Sequence, residues 1–470
     1  MKFTNRKQEL QRLDQFACLP DGGLAVVWGR RRVGKTRLLL EWCDKHNGVY
    51  YTADESSASV QQRYFAIAIE QFLPGFASVE YPDWTTLFLR LAHDAKAAKW
   101  RGPIVIDELP YLIAATPELP SILQKFIDIE AKKAKLIIAL SGSSQRMMQG
   151  AILDVSAPLY GRAHELIKLG PISAGYLGQA LELKNPVEII ESYAIWGGIP
   201  RYWELVANSR KSFLDNIDSI VLDPMGQLFD EPNRLLLEET PSAISLRPIL
   251  DAIGLGCHKL SEIAGRIGQQ ATSLARPLQR LIELDLIKRE IPYGNDEQNS
   301  KRALYKIKDP FLRFWFEAVA SHKSILAQLP SSSRKKIIQK VLPSLFATTW
   351  EELCCQAIPA LSQTFSEEQL GHAGRYWHGN NPEWDILSES YDRSFLLIGE
   401  AKWTRHCPSP SWIYETVNSL RSKGVPPVGS SQKAKKMYAL FVPEKPGSLD
   451  LAPDVRVLDA KEVLRALLPE

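Results

Sequence analysis

Leu24-Ala25-Val26-Val27-Trp28-Gly29-Arg30-Arg31-Arg32-Val33-Gly34-Lys35-Thr36-Arg37 decides the fold of this chain. The five residues before Gly29 are apolar and short enough for a strand buried on both faces. Gly29 to Thr36 then satisfies GxxxxGK[ST], and a helical pattern runs from Lys35 to Lys45. The glycines allow the loop to turn its backbone N–H groups onto phosphate oxygens, and the helix N-terminus adds positive potential at the same point. Lys35 is expected to bridge the β- and γ-phosphates of ATP, and the Thr36 hydroxyl to ligate Mg²⁺. The whole stretch from Gly29 to Arg37 is counted as ATP-contacting, with the Arg30, Arg31 and Arg32 side chains in solvent or against a neighbouring subunit. The bland alternative is an accidental Gly-rich turn; the strand before and the helix after argue against it.

Working outward, Pro103-Ile104-Val105-Ile106-Asp107-Glu108 is an apolar strand that ends in two acids. Asp107 is expected to hold Mg²⁺, and Glu108 to polarise the attacking water. Ser141 and Ser143 end a further strand beginning at Leu136, which sets them near the expected γ-phosphate and water; a plain loop explains them equally well. Arg162 precedes a strand at Glu165 to Leu169 and is the candidate for the cation that stabilises the transition state, on its own nucleotide or on a neighbour's in a homo-oligomer. With Gly48 to Thr52, these strands alternate with helical stretches, which predicts a parallel sheet covered by helices on both faces.

The 470 residues suggest about three domains. Net charge is only +3, so any nucleic-acid surface must be local. The six cysteines form no CxxC pair, and no apolar run approaches the ~18 residues of a membrane span. With polar residues at Lys2, Asn5, Arg6 and Lys7, a cytoplasmic location without membrane contact is the expectation.

Beyond 175 the pattern is helical, broken by Trp196-Gly197-Gly198-Ile199-Pro200-Arg201-Tyr202. Three helical stretches follow (245–254, 259–267 and 272–284). Ile287 to Ile291, a polar turn over 292–300, and Ala303 to Ile307 complete a winged helix-turn-helix pattern. Arg276 and Arg280 share a face of its third helix and are the candidate DNA contacts, with Lys288, Arg289, Lys301 and Arg302 flanking the hairpin. A spacer or protein-docking module is the alternative.

These residues together resemble the prokaryotic P-loop ATPases often called archaeal-type ATPases, a branch of the AAA+/STAND group. The resemblance rests on Phe3-Thr4-Asn5-Arg6 with Glu9-Leu10, the P-loop, Ile106-Asp107-Glu108, Ser141-Gly142-Ser143, Tyr160-Gly161-Arg162 and the Gly197-to-Tyr202 segment. It implies a sheet of order 5-1-4-3-2, a small helical lid, and Arg6 near the nucleotide base. Lys308-Asp309-Pro310-Phe311 resembles the segment that closes the family's winged helix. The last part resembles the family's companion domain of unknown function, itself similar to PD-(D/E)xK nucleases. The carriers are Trp350-Glu351, Glu383-Trp384-Asp385-Ile386 and Gly399-Glu400-Ala401-Lys402-Trp403, with Trp384 standing where the nuclease pattern has proline. Glu400 and Lys402, two apart on one strand, share a face. Asp385 and Glu400 could then hold Mg²⁺ while Lys402 orients water, with Glu351 completing the shell; an ordinary Glu/Lys pair on a strand end is the plain alternative.

The expected architecture is α/β. It comprises a P-loop core (1–175), helical lid (176–238), winged helix (239–325) and an α/β restriction-endonuclease-like domain (326–470). The expected function is an ATP-regulated, DNA-binding and DNA-processing ATPase. The competing expectation is a regulatory or signalling ATPase whose last domain is catalytically silent. A metabolic kinase leaves the later domains unexplained.

Overall fold

The computed structural model describes residues 3–468 except 210, 240–244, 297–301, 380–381 and 430–432. Residue contacts divide the chain into two compact units, one centred on Phe3–Pro171 and the other on Ile172–Leu236 and residues 245–468. Among the described residues no helix is long and apolar enough to cross a membrane, and all six cysteines are free thiols.

In the first unit, helix α1 (Lys7–Ala17) precedes strand β1 (Gly23–Trp28), and α2 (Lys35–His46) follows the loop. Strands β2 (Val49–Thr52), β3 (Ile104–Asp107), β4 (Ile137–Gly142) and β5 (Ala163–Lys168) complete an all-parallel sheet of order β2-β3-β4-β1-β5. This is the P-loop NTPase fold, with the strand order that the family resemblance implies. Every residue of β3 and β4 is buried, because helices cover both sheet faces. The edge strand β5 alternates, since only one of its faces meets the core. Leu24, Val26, Ile106, Ile138 and Leu140 share one core with Phe65, Trp84 and Phe88. The chain leaves β1 for β2 across β4 and β3, so the C-terminal ends of β1, β3 and β4 open on one crevice.

The second unit begins with helices that include α3 (Pro186–Trp196). Helices α4 (Arg247–Gly254), α5 (Leu260–Ile267) and α6 (Ala275–Glu283) follow, then an antiparallel pair, β6 (Ile287–Glu290) and β7 (Leu304–Ile307). Beyond α7 (Pro310–Ala318) and α8 (Leu342–Ala357) lies a mixed sheet. Its strands are β8 (Gly374–Tyr376), β9 (Trp384–Glu389), β10 (Phe395–Ala401), β11 (Lys435–Phe441) and β12 (Val455–Leu458), in spatial order β12-β11-β10-β9-β8. Strands β8, β9 and β10 pair antiparallel and β10, β11 and β12 pair parallel, with α9 (Pro410–Ser422) crossing between β10 and β11. Fully buried β10 is the centre of this sheet.

The lid, hairpin and C-terminal segments read separately from sequence are joined in this one unit. Helix α3 packs on both α7 and α8, and the Ser173 hydroxyl donates to the Leu467 carbonyl beyond α10 (Ala460–Ala466). Gly197, at φ 58°, shows why the Gly197-Gly198 break is needed: a Cβ there would lie 3.0 Å from Asp309 Oδ1, the atom that caps α7 through Phe311 N. The Ser331–Lys336 stretch opens a helix, Ser331–Gln339.

Candidate functional sites

The phosphate loop is held by backbone shapes that its sequence permits. Gly29, Arg32 and Gly34 all have positive φ. A Cβ on Gly29 would lie 2.3 Å from the Leu169 carbonyl oxygen, so no other residue fits there. Lys35 is buried and donates to the Gly29 and Arg30 carbonyls at 2.8 and 3.2 Å, lying along the inside of the loop. The Thr36 hydroxyl donates to Asp107 Oδ2 at 2.9 Å, so the two groups expected to share a cation are adjacent. Asp107 is 1% exposed, and Tyr50 of β2 also donates to its Oδ2. Burial and the Asp107 charge push the Tyr50 phenol well above its ordinary range. Glu108 sits at φ 55°, which turns its side chain toward β4, where the Ser143 hydroxyl donates to Oε2 at 2.8 Å. Ser141 Oγ is buried without a hydrogen-bond partner. A hydroxyl and a carboxylate are hard oxygen donors and suit Mg²⁺.

Three arginine expectations are revised. Arg30 is 7% exposed rather than solvated, because the loop curls its side chain inward. Arg37 points away from the loop and pairs with Glu41 at 2.8 Å, one helical turn on, so only its backbone belongs to the site. Arg162 lies beside the start of β1, where Leu24 pairs with Ala163, whereas the phosphate loop follows the end of β1. Six residues of strand separate them by roughly 16 Å. Arg162 instead grips Asp128 through Nε and Nη2, so in its own chain it does not reach the phosphate site. Arg6 is buried and donates to Val33 in the loop (2.9 Å) and to the Gly170 carbonyl (2.6 Å) while pairing with Glu9.

The hairpin of the winged helix-turn-helix pattern is fastened down. Lys288 pairs with Glu352 of α8 at 2.7 Å, and Lys306 with Glu290 at 2.6 Å. Tyr293 N donates to the Arg375 carbonyl, and Glu389 N donates to the Tyr293 hydroxyl. Lys288 is therefore committed within the fold rather than offered to phosphate. Lys301 lies outside the described residues. On α6, Arg276 is exposed and Arg280 pairs with Glu283 at 3.6 Å, so a basic face survives there.

In the mixed sheet, the antiparallel register sets Ile386 opposite Gly399 and so brings Asp385 beside Glu400. Asp385 Oδ2 accepts from Ala401 N at 3.1 Å. Glu400 is buried, with Lys402 Nζ on Oε1 at 2.6 Å and Lys423 Nζ on Oε2 at 2.5 Å. Burial and the Glu400 charge raise the Asp385 carboxyl, and burial with Asp385 lifts that of Glu351 to about 7. Asp385 thus feels Glu400, and Glu351 feels Asp385. Among the described residues, however, no three acid, His or Cys side chains converge closely enough to hold a metal. The donors are hard oxygens, but two ammonium groups occupy Glu400, so a cation would have to displace them.

Residues 3–206 match the model of an ATPase domain predominantly from Archaea. They form an archaeal-type P-loop ATPase domain. Residues 315–412 of the same chain match a family of archaeal and bacterial proteins of unknown function. An uncharacterized protein of Methanocaldococcus jannaschii is 28% identical over 405 residues, covering 85% of this chain and 87% of its own. A Walker-type ATPase of Pyrococcus abyssi superposes with a TM-score of 0.53 at 19% identity, covering 67% of this chain and 96% of its own.

Several residues that build these sites had no sequence signal. Tyr50 reaches Asp107 because β2 pairs with β3 in register Tyr50↔Val105, which no motif encodes. Lys423 meets Glu400 from the end of α9, 23 residues away. Ser143 had a signal, its place at a strand end, but only its distance to Glu108 separates it from a loop serine.

Proposed function

We propose that this ATPase is an ATP-regulated DNA-processing factor, in which Mg²⁺·ATP turnover governs the C-terminal acid cluster. Thr36 and Asp107 would hold the Mg²⁺, whose charge offsets that of the phosphates. Lys35 would turn from the loop carbonyls to the β- and γ-phosphate oxygens. Glu108, steadied by Ser143, would orient a water for attack on the γ-phosphorus and take its proton as the bridging P–O bond breaks and ADP leaves. Arg162 is kept as a cation for a neighbouring subunit's nucleotide. Arg6 ties the loop to the Gly170 carbonyl on the base side.

The observation that carries the DNA-processing role is the juxtaposition of Asp385 and Glu400 across β9 and β10 with Lys402 bonded to Glu400. Arg276 and Arg280 would add phosphate contacts. The test is Mg²⁺-dependent cleavage of plasmid and single-stranded DNA, with and without ATP. Asp385→Asn is expected to abolish cleavage, and Lys35→Ala to abolish its response to ATP. ATP turnover with no cleavage under any condition would overturn the role.

One observation favours the competing view of a regulatory ATPase with a silent last domain: both Glu400 oxygens are taken by lysines. Lys423→Ala frees one of them. On the nuclease view it should tighten Mn²⁺ binding at this cluster, read by calorimetry in a Thr36→Ala background; unchanged binding supports the silent domain.

A further inference from the structure

The fastened hairpin forms one wall of an open cavity of about 740 Å³ against α8 and β8. Its walls include Lys306 and Tyr293 from the hairpin, Glu351 and Gln356 from α8, and His372 and Arg375 around β8. Glu351, on the cavity wall, feels the charge of Asp385. Its volume lies in the range of sites for nucleotide-sized ligands, roughly 300–1,000 Å³. We infer that this cleft takes a nucleoside monophosphate group, free or as the unpaired end of a nucleic-acid strand, with Arg375 as its principal phosphate contact.

The charge arrangement selects Arg375. Glu352 is neutralised by Lys288 and Arg313, and Lys306 is engaged by Glu290. Among the described residues the ion pairs of Arg375 are long, 3.9 Å to Glu351 and 3.4 Å to Glu383, so its guanidinium can turn to a phosphate. The Tyr293 and His372 rings, with centroids 5.6 Å apart, offer a surface on which a base can stack. Bases in a duplex are paired and stacked inside it, so only an unpaired base can lie against the Tyr293 and His372 rings. Widening the cleft would break the Lys288–Glu352 pair and both Tyr293 hydrogen bonds. The inference rests on the nucleic-acid reading of the acid cluster, and it narrows the substrate to unpaired ends.

The experiment uses the full chain, with calcium replacing magnesium so that binding is read apart from cleavage. A 5′-labelled single-stranded oligonucleotide is titrated by fluorescence anisotropy and competed with a free nucleoside monophosphate and with blunt duplex. Competition by the mononucleotide or by unlabelled single strand, but not by duplex, is expected. Arg375→Ala should weaken binding ~10-fold or more, with Arg375→Lys intermediate. Gln356→Trp, a change at an exposed helix position that fills the cleft, should weaken it similarly at unaltered melting temperature. Unchanged affinity in Gln356→Trp and Arg375→Ala, or duplex competing as well as single strand, would overturn the assignment. If cleavage is absent with magnesium but these binding results hold, the nuclease activity fails and the cleft stands. If cleavage occurs while both variants bind normally, the cleft fails and the nuclease stands.

Discussion

Glu108→Gln is expected to lower the rate of ATP hydrolysis by about 10²–10⁴-fold, the usual contribution of a positioned proton acceptor, while ATP affinity stays within about threefold. Glutamine keeps the shape and can still accept from the Ser143 hydroxyl, so the site remains assembled. It cannot take the proton from the attacking water. Ser143→Ala should show a smaller loss, because Glu108 stays present but loses the bond that aims it. Steady-state turnover together with equilibrium binding of a fluorescent ATP analogue separates the two effects. Equal losses of affinity and rate in Glu108→Gln would show that Glu108 serves binding rather than proton transfer.

The second large effect lies far from the phosphate loop. Arg313→Ala should destabilise the second unit by about 2–3 kcal/mol, because it leaves the half-buried Glu352 carboxylate with Lys288 alone. Burial by itself would push the Glu352 carboxyl up; Arg313 and Lys288 overcome it and hold it at about 2, against an ordinary 4.5. A carboxyl depressed by folding contributes stability that is complete above about pH 4.5 and is lost as pH falls toward 2. The gap is worth about 3 kcal/mol. Hydrogen exchange of the α8 amides, followed in denaturant at pH 7 and pH 3, reads the unit concerned. The wild type should lose protection at pH 3 that Arg313→Ala already lacks at pH 7. The same pH dependence in both proteins would mean that Glu352 does not carry it. Replacing both partners with apolar residues should recover most of the loss.

What was legible in the sequence was local. The run from Leu24 to Arg37 carries its strand, its loop and its helix within one window. The apolar strand ending at Asp107-Glu108 does the same for the acids. Glu400 and Lys402 were legible as a pair because strand geometry alone puts residues two apart on one face, and the structure links them directly. The hairpin was legible as two strands and a turn, but not as a bound one, because Lys288 has no neighbour in sequence that reveals Glu352, 64 residues later. Arg162 shows the same limit. Its place before a strand is readable, but which end of the sheet it occupies depends on the parallel register of β5 against β1.

By itself, then, the sequence determined the phosphate loop, the strand–helix alternation and the acids at two strand ends, since each follows from the chemistry of adjacent residues. Only the tertiary structure decided four things: that Arg30 is buried, that Arg162 stands away from its own phosphate site, that lysines from two elements occupy Glu400, and that the hairpin walls a cleft over Glu351. Each of these depends on distances between segments far apart in the chain, which are set by how sheets and helices pack together and not by any local pattern.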